Sequence, residues 1–233
     1  MTSEIETIIK DVIVRTYNVK SFRFEKGSAD FKAGQFLSVT IPGEKDGKRY
    51  LSISNSPTEE GYIEFTKKIT QSDFSKALNN LKVGDTVKVQ YPFGKFNLNE
   101  ADNKIAFISG GIGITPIRSM VKYAVDRNLG TDMVLLYANR SINDIVFCDD
   151  FEKMQMQYQK LKVAHILCDP APNFKCVTGL INAHTVKNEV LDYLERKFYL
   201  CGPPAMVEAM RKMLSGELNT VPENIVTENF MGY

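Results

Sequence analysis

The sequence predicts two domains of different class: an antiparallel β-barrel over residues 1–99, then an α/β domain with a parallel sheet over residues 100–233. Three observations predict it. Short strand-like segments separated by turn signals fill the first part. Strands alternate with helices from Lys104 onward. The polar stretch FNLNEADN at 96–103 divides the two patterns.

The strand candidates of the first part are IIKDVIVRTYNVKSFRF, QFLSVTIPG, RYLSISNSP, GYIEFTKKI and DTVKVQYPFG. Turn signals lie at Lys26-Gly27, Pro42-Gly43, Asp46-Gly47 and Glu60-Gly61. One helix is expected over 72–81, SDFSKALNNL, with Ser72 as N-cap and Phe74, Ala77, Leu78 and Leu81 at helical spacing. RYLSISNSP is unusually polar for a strand. Its Arg49 can hold a phosphate bidentately, and Ser52, Ser54 and Ser56, gathered with Asn55, can hydrogen-bond a heterocycle. The same residues also fit an ordinary strand with a solvated polar face.

In the second part the strand–helix pairs are KIAFIS with PIRSMVKYAVDR, MVLLYAN with DIVFCDDFEKMQMQYQ, KVAHILC with TVKNEVLDYLER, and KFYLCG with PAMVEAMRKML. The first pair is joined by a glycine turn, FISGGIGITPI at 107–117. A helix N-terminus at such a turn binds phosphate through amides without helical partners and the positive end of the dipole. Gly110, Gly111 and Gly113 permit close backbone approach; Thr115 is expected as N-cap and Pro116 as the first helical residue. The turn misses the G-x-G-x-x-G fingerprint, which would need glycine where Pro116 stands. A second turn, FYLCGPPAM at 198–206, brings Gly202, Pro203 and Met206 to another strand end. Ligands in open α/β sheets sit at the carboxyl ends of strands, so the two turns are expected to line one crevice with Cys201 at its floor. Cys201 equally fits a small buried thiol.

Composition excludes several classes. The 233 residues carry a net charge of +1, which gives no electrostatic case for nucleic acid. No run is long and apolar enough to span a membrane. The segment MTSEIETIIKDVIV lacks the basic start of a signal peptide, so the expected address is cytoplasmic. Cys148, Cys168, Cys176 and Cys201 form no metal-spaced group, and His165 and His184 are isolated, so no metal site is expected. Y-x-x-x-K occurs at Tyr158/Lys162 and Tyr193/Lys197, but a short-chain dehydrogenase would place its glycine turn near the start of the chain. GEKDGKR at 43–49 is too short for a P-loop and no Ser or Thr follows the lysine.

Five motifs in order resemble the ferredoxin–NADP⁺ reductase superfamily of flavin-dependent electron-transfer enzymes. R-x-Y-S is similar to Arg49-Tyr50-Leu51-Ser52, and GPxG-F to Pro92-Phe93-Gly94-Lys95-Phe96. The pyridine-nucleotide turn corresponds to Gly110–Pro116, C-G-P-P-x-M to Cys201–Met206, and E-x-F to Glu228-Asn229-Phe230. The resemblance implies a barrel that holds FAD and an α/β domain that holds NAD(P)H. FAD rather than FMN follows from the family's habit and the short helix.

The same resemblance implies roles. Arg49 would bind the flavin pyrophosphate and Ser52 would donate toward flavin N5. Thr66 and Lys67 fall where the family contacts the flavin. Ser72 and Ser75 open the short helix whose amides cradle the pyrophosphate. Gly110, Gly111, Gly113, Thr115, Pro116, Gly202, Pro203 and Met206 would hold the dinucleotide. Cys201 and Glu228 would flank the meeting point of nicotinamide and flavin, and Phe230 or Tyr233 would cover the flavin face. Ser52, Cys201 and Glu228 are thus the catalytic candidates.

Three departures stand out. Leu51 replaces the signature tyrosine, so the aromatic contact is lost or comes from Tyr50. Ser72 replaces a glycine of G-x-x-S. Without a fused ferredoxin or haem domain, the expected partner is a separate small redox protein, ferredoxin or flavodoxin. The alternative is a reductase component that works only inside a larger oxygenase or dehydrogenase complex. After the second strand of the α/β domain, Arg140 and Ser141 stand where a 2′-phosphate would be read, which leans toward NADPH over NADH; the spacing of Arg140 and Asp144 also fits a pair one helical turn apart.

Overall fold

The structure is a computed structural model that describes residues 3–44, 47–169 and 171–229. The chain divides into two units, Met1–Leu98 with Arg118–Tyr123, and Asn99–Ile117 with Ala124–Tyr233.

The first unit contains β1 (Ser3–Thr16), β2 (Val19–Glu25), β3 (Phe36–Thr40), β4 (Lys48–Ser52), β5 (Tyr62–Lys68) and β6 (Thr86–Phe93). They form one antiparallel sheet in the order β4-β3-β6-β1-β2-β5. A bridge between Ile53 and Phe65, with the Ser54 amide donating to the Glu64 carbonyl at 2.8 Å, joins the two end strands and closes the barrel. Closure removes the open edges that an antiparallel sheet would otherwise expose. Phe22, Phe24, Leu37, Val39, Phe65 and Val89 alternate inward and fill the core. Helix α1 (Asp73–Asn80) buries Phe74 and Leu78, one turn apart, on that core. Ser72 caps it, accepting from the Ser75 amide at 3.3 Å, as the sequence predicts.

Behind the closing bridge lies a buried polar array. The Glu64 side chain is 1% exposed. It accepts from Arg15 at 3.0 Å, Arg23 at 2.8 Å and Ser54 at 2.9 Å. Thr66 Oγ1 lies 2.7 Å from Ser21 Oγ and 2.8 Å from Ser54 Oγ, and Asn55 Oδ1 accepts from the Glu64 amide at 2.8 Å. In the same unit Arg118 pairs with Glu59 and donates to the Ser54 carbonyl at 3.2 Å.

The second unit holds β7 (Lys104–Gly110), β8 (Asp132–Asn139), β9 (Leu161–Leu167), β10 (Val177–Thr178), β11 (Lys197–Gly202) and β12 (Ile225–Asn229). The sheet is parallel throughout, in the order β10-β9-β8-β7-β11-β12. Its helices are α3 (Cys148–Gln157), α4 (Ala183–Glu189), α5 (Pro204–Gly216) and both ends of α2 (Ile114–Asp126), the middle of which, Arg118–Tyr123, belongs to the first unit. Ile108, Leu136, Phe198 and Leu200 pack on one face with Val186 of α4 and Val207 and Leu214 of α5. On the other face Phe107 meets Tyr199, and Tyr137 meets Phe151 of α3. Strands covered on both faces explain the near-continuous apolar runs.

Three expectations change. The chain after the first glycine turn winds as a 3₁₀ turn at Gly111–Gly113 before α2 begins at Ile114. Thr115 is therefore not the N-cap and Pro116 is not the first helical residue; Gly110 occupies the cap position of the 3₁₀ turn. Thr115 Oγ1 donates to the Ile112 carbonyl at 3.1 Å, an acceptor that Pro116, lacking an N–H, cannot serve and that the Ile114 amide shares. The long helix expected over TVKNEVLDYLER is α4 plus a separate 3₁₀ turn at Tyr193–Glu195. The break lets buried Arg196 donate to the carbonyls of Ile105 and Asp132, both at 3.1 Å, at the start of the sheet. The region expected as one helix from Asp144 likewise enters α3 only after Phe147, which adopts a left-handed conformation at φ 62°.

Glu64→Gln should lower the free energy of unfolding by about 2–3 kcal/mol, because it removes the buried negative charge that Arg15 and Arg23 share. Urea unfolding followed by circular dichroism reads this as a lower midpoint; an unchanged midpoint would mean that the array adds no net stability.

Candidate functional site

Each unit carries one concentration of the sequence-predicted residues. In the barrel unit it lies at the start of α1. Arg49 of β4 places its guanidinium 5.3 Å from the centre of the Phe74 ring and donates to the Lys48 carbonyl at 2.7 Å. Lys67 of β5 is 9% exposed and donates to the Lys68 carbonyl at 3.0 Å. Burial lowers its pKa, and the nearby Arg49 and Lys68 charges lower it further. Ser75 is fully buried, with Oγ 3.1 Å from Thr70 Oγ1. Two cations are thus gathered at the positive end of a helix, an arrangement that an anion such as a pyrophosphate stabilises.

The motif around Arg49 splits between two faces. Leu51 points into the barrel core, whereas Tyr50 is 60% exposed on the outer face. There it packs edge-on against Phe36 at 5.8 Å and Phe93 at 6.1 Å. Tyr50 and Leu51 thus lie on opposite faces of β4, as strand alternation requires. Ser52, 4% exposed, pairs with Phe36 in register on the Tyr50 face. The other polar residues of the stretch are occupied internally. Ser54 and Asn55 belong to the Glu64 array, and Ser56 lies 2.6 Å from Thr58 Oγ1. The expectation that Ser54 and Ser56 face a heterocycle gives way to a structural role. Thr66 has the same internal role. Phe36 was not singled out from the sequence, because its place beside Ser52 comes from strand pairing.

In the α/β unit the two glycine turns end the adjacent strands β7 and β11 and meet, as expected. A Cβ on Gly113 would lie 2.4 Å from the Cys201 carbonyl oxygen and 2.6 Å from Gly202 Cα, so no side chain fits. Gly111 has φ +53° and open space where a Cβ would project. The first turn has no side-chain cap, which leaves its amides for a ligand. Pro203 caps α5, Pro204 opens it, and Met206 packs its sulfur under Gly110. The cradle fits a dinucleotide phosphate by shape and by donor chemistry.

Below the turns one row of side chains crosses five strands in register: Glu228, Cys201, Ser109, Tyr137 and His165. Burial raises the Cys201 thiol well above its usual range, with a further contribution from Glu228. Burial also raises Glu228. His165, packed between Tyr137 and Phe174, is pushed down to about 4 by burial, and its Nδ1 has no hydrogen-bond partner.

Beyond β8, Arg140 is exposed and faces Asp169 at 3.6 Å, rather than Asp144. Asp144 instead accepts from the Ser141 amide at 3.1 Å and hydroxyl at 2.7 Å. Phe230 and Tyr233 lie outside the described residues. Among the described residues no helix is long and apolar enough to cross a membrane.

Comparison with known proteins agrees with both halves. Residues 4–98 match the oxidoreductase FAD-binding domain, and residues 107–212 the oxidoreductase NAD-binding domain. NADH-cytochrome b5 reductase 1 of Aspergillus terreus is 31% identical over 221 residues, covering 88% of this chain and 75% of that one. The chain belongs to the ferredoxin–NADP⁺ reductase superfamily. Another superfamily relative, the glycine betaine monooxygenase reductase subunit of Pseudomonas aeruginosa, is 33% identical over 217 residues, or 88% of this chain. This chain spans 58% of that relative's length. Among solved structures, the ferredoxin reductase in carbazole 1,9a-dioxygenase superposes with a TM-score of 0.86 at 26% identity, over 99% of this chain and 70% of that one.

Because His165 is held at about 4 against an ordinary 6.5, its neutral ring is favoured by folding. That stability is present in full above the ordinary value and is lost as pH falls toward 4, by about 2–3 kcal/mol. Thermal or urea unfolding between pH 7 and 4 should show this loss, and His165→Leu should flatten it. A mutant with the wild-type slope would assign the loss to other groups.

Proposed function

We propose that this chain is an FAD-dependent NAD(P)H oxidoreductase that passes electrons from reduced nicotinamide to a one-electron protein carrier such as ferredoxin or flavodoxin. The observation that carries the reading is one chain with two unlike anion cradles, each inside the matching family domain. On this reading residues 1–99 are the FAD-binding domain and residues 100–233 the NAD(P)H-binding domain. A bound flavin supplies the exchange between a two-electron hydride and single electrons.

The chain's own residues then divide the work. Arg49, Lys67 and the α1 amides behind Ser72 and Ser75 hold the FAD pyrophosphate. Ser52 offers a hydroxyl at the flavin edge, with Tyr50 on the same face. Leu51 contributes aliphatic packing, and Thr66 steadies β5 through the Glu64 array. Gly110, Gly111, Gly113, Thr115 and Pro116, with Gly202, Pro203 and Met206, shape the dinucleotide cradle. Cys201 and Glu228 border the nicotinamide, the thiol remaining protonated.

For the nucleotide we assign NADH. The sequence leans to NADPH through Arg140 and Ser141. In the fold, however, a 2′-phosphate there would meet the carboxylates of Asp144 and Asp169. The NADH in the name of the Aspergillus relative points the same way.

Anaerobic titration of the purified protein tests the reading. Yellow protein that bleaches at stoichiometric NADH is expected. Yellow protein that neither nucleotide bleaches would favour a component active only within a larger assembly. Colourless protein that FAD cannot reconstitute would overturn the assignment. Arg49→Ala should release flavin on gel filtration. Asp169→Asn should lower the KM for NADPH on the order of fivefold by freeing Arg140, with NADH unaffected; equal effects on both would remove Arg140 from nucleotide choice.

A further inference from the structure

The glycine turn after β7 is oriented from below by a residue in no sequence motif. Tyr137 is fully buried in β8, a strand that is otherwise aliphatic over most of its length. A buried tyrosine needs a partner for its hydroxyl. Here the hydroxyl donates to the Gly111 carbonyl at 3.2 Å and accepts from the Val146 amide at 3.2 Å. The Gly111 carbonyl also accepts from the Ile114 amide.

The geometry has a direct consequence. Gly111 is the left-handed residue of the turn, at φ +53°. Its carbonyl shares a peptide plane with the Ile112 N–H, and in a trans peptide the two point in opposite directions. Drawing the carbonyl inward to Tyr137 therefore aims the Ile112 N–H outward, at the open mouth of the turn. The Tyr137 hydroxyl also ties the turn to the β8–α3 connection through Val146, the connection that bears Arg140 and Ser141.

We propose that Tyr137 is a positioning residue for nucleotide binding: its hydroxyl fixes the Gly111–Ile112 peptide so that the Ile112 amide is presented to a phosphate of the dinucleotide. This rests on the nucleotide reading of the turn. The effect is on binding, since Tyr137 touches neither reacting centre.

The test is Tyr137→Phe, which keeps the ring between Phe151 and His165 and removes only the hydroxyl. Steady-state reduction of ferricyanide by the FAD-loaded protein should show KM raised about tenfold, the order that one net hydrogen bond carries. The rise should be equal for NADH and NADPH, with kcat at saturation and flavin content at wild-type levels. Phe151→Leu loosens the same packing but keeps the hydroxyl; it should lower Tm and leave KM unchanged. An unchanged KM in Tyr137→Phe, or the same KM rise in both variants, would overturn the positioning role while the nucleotide reading stands. A wild-type protein that neither nucleotide reduces would overturn the reading and the proposal with it.

Discussion

The constraint on which the α/β unit depends is the contact between the ends of two neighbouring strands. Gly113 sits so close to the Cys201 carbonyl that a methyl group would collide with backbone, not with a movable side chain. Backbone packed on backbone transmits position without slack. It sets the height of the first turn over β11, and with it the start of α2 and the direction of its amides. It also places Cys201 beside Ser109 on one side and Glu228 on the other. The nucleotide cradle and the row beneath it thus come from a single close approach.

The barrel solves a different problem. Its end strands meet through one short bridge at Ile53 and Phe65, beside a buried carboxylate that two arginines and a serine saturate. Such an array is a costly way to gain stability. Its geometry offers a further gain, because it pins β2, β5 and the residues just after β4 to one another. Lys67 lies on β5 and Arg49 on β4 just before the pinned residues, so the cation pair at α1 has its spacing set from behind.

Much of this was legible in the sequence. Gly and Pro mark both turns, and apolar runs separated by helices mark the parallel sheet. Ser72 with Phe74 and Leu78 marks α1. The details that failed are those in which tertiary contacts override local signals. Thr115 and Pro116 read as a cap and first residue, but a 3₁₀ turn at Gly111 starts the winding earlier. TVKNEVLDYLER has helical spacing, but Arg196 is needed at the start of the two central strands and the helix breaks. The two-residue strand β10 has too little sequence to announce itself. Phe36 and Tyr137 were missed because register, which a single sequence does not fix, gives them their neighbours. A phenol in the aliphatic run MVLLYAN was the available signal.

The two cradles hold anions by different physics, and the difference matches what each is proposed to hold. At α1 the attraction comes from full side-chain charges, Arg49 and Lys67, partly removed from water, where Coulomb energy is large. At the glycine turn it comes from peptide dipoles on a frame of glycine, proline and buried neutral side chains. Burial keeps the Cys201 thiol protonated and the His165 ring neutral, so neither of these two adds charge beneath the turn. Dipoles at a helix end are worth less than two partly buried cations. A cofactor that must stay through many turnovers suits the charged cradle. A nucleotide that must leave after each hydride suits the weaker one, because its release then need not break an ion pair. The same logic makes the orientation of a single amide, set by Tyr137, count for more at the glycine turn than it would beside Arg49.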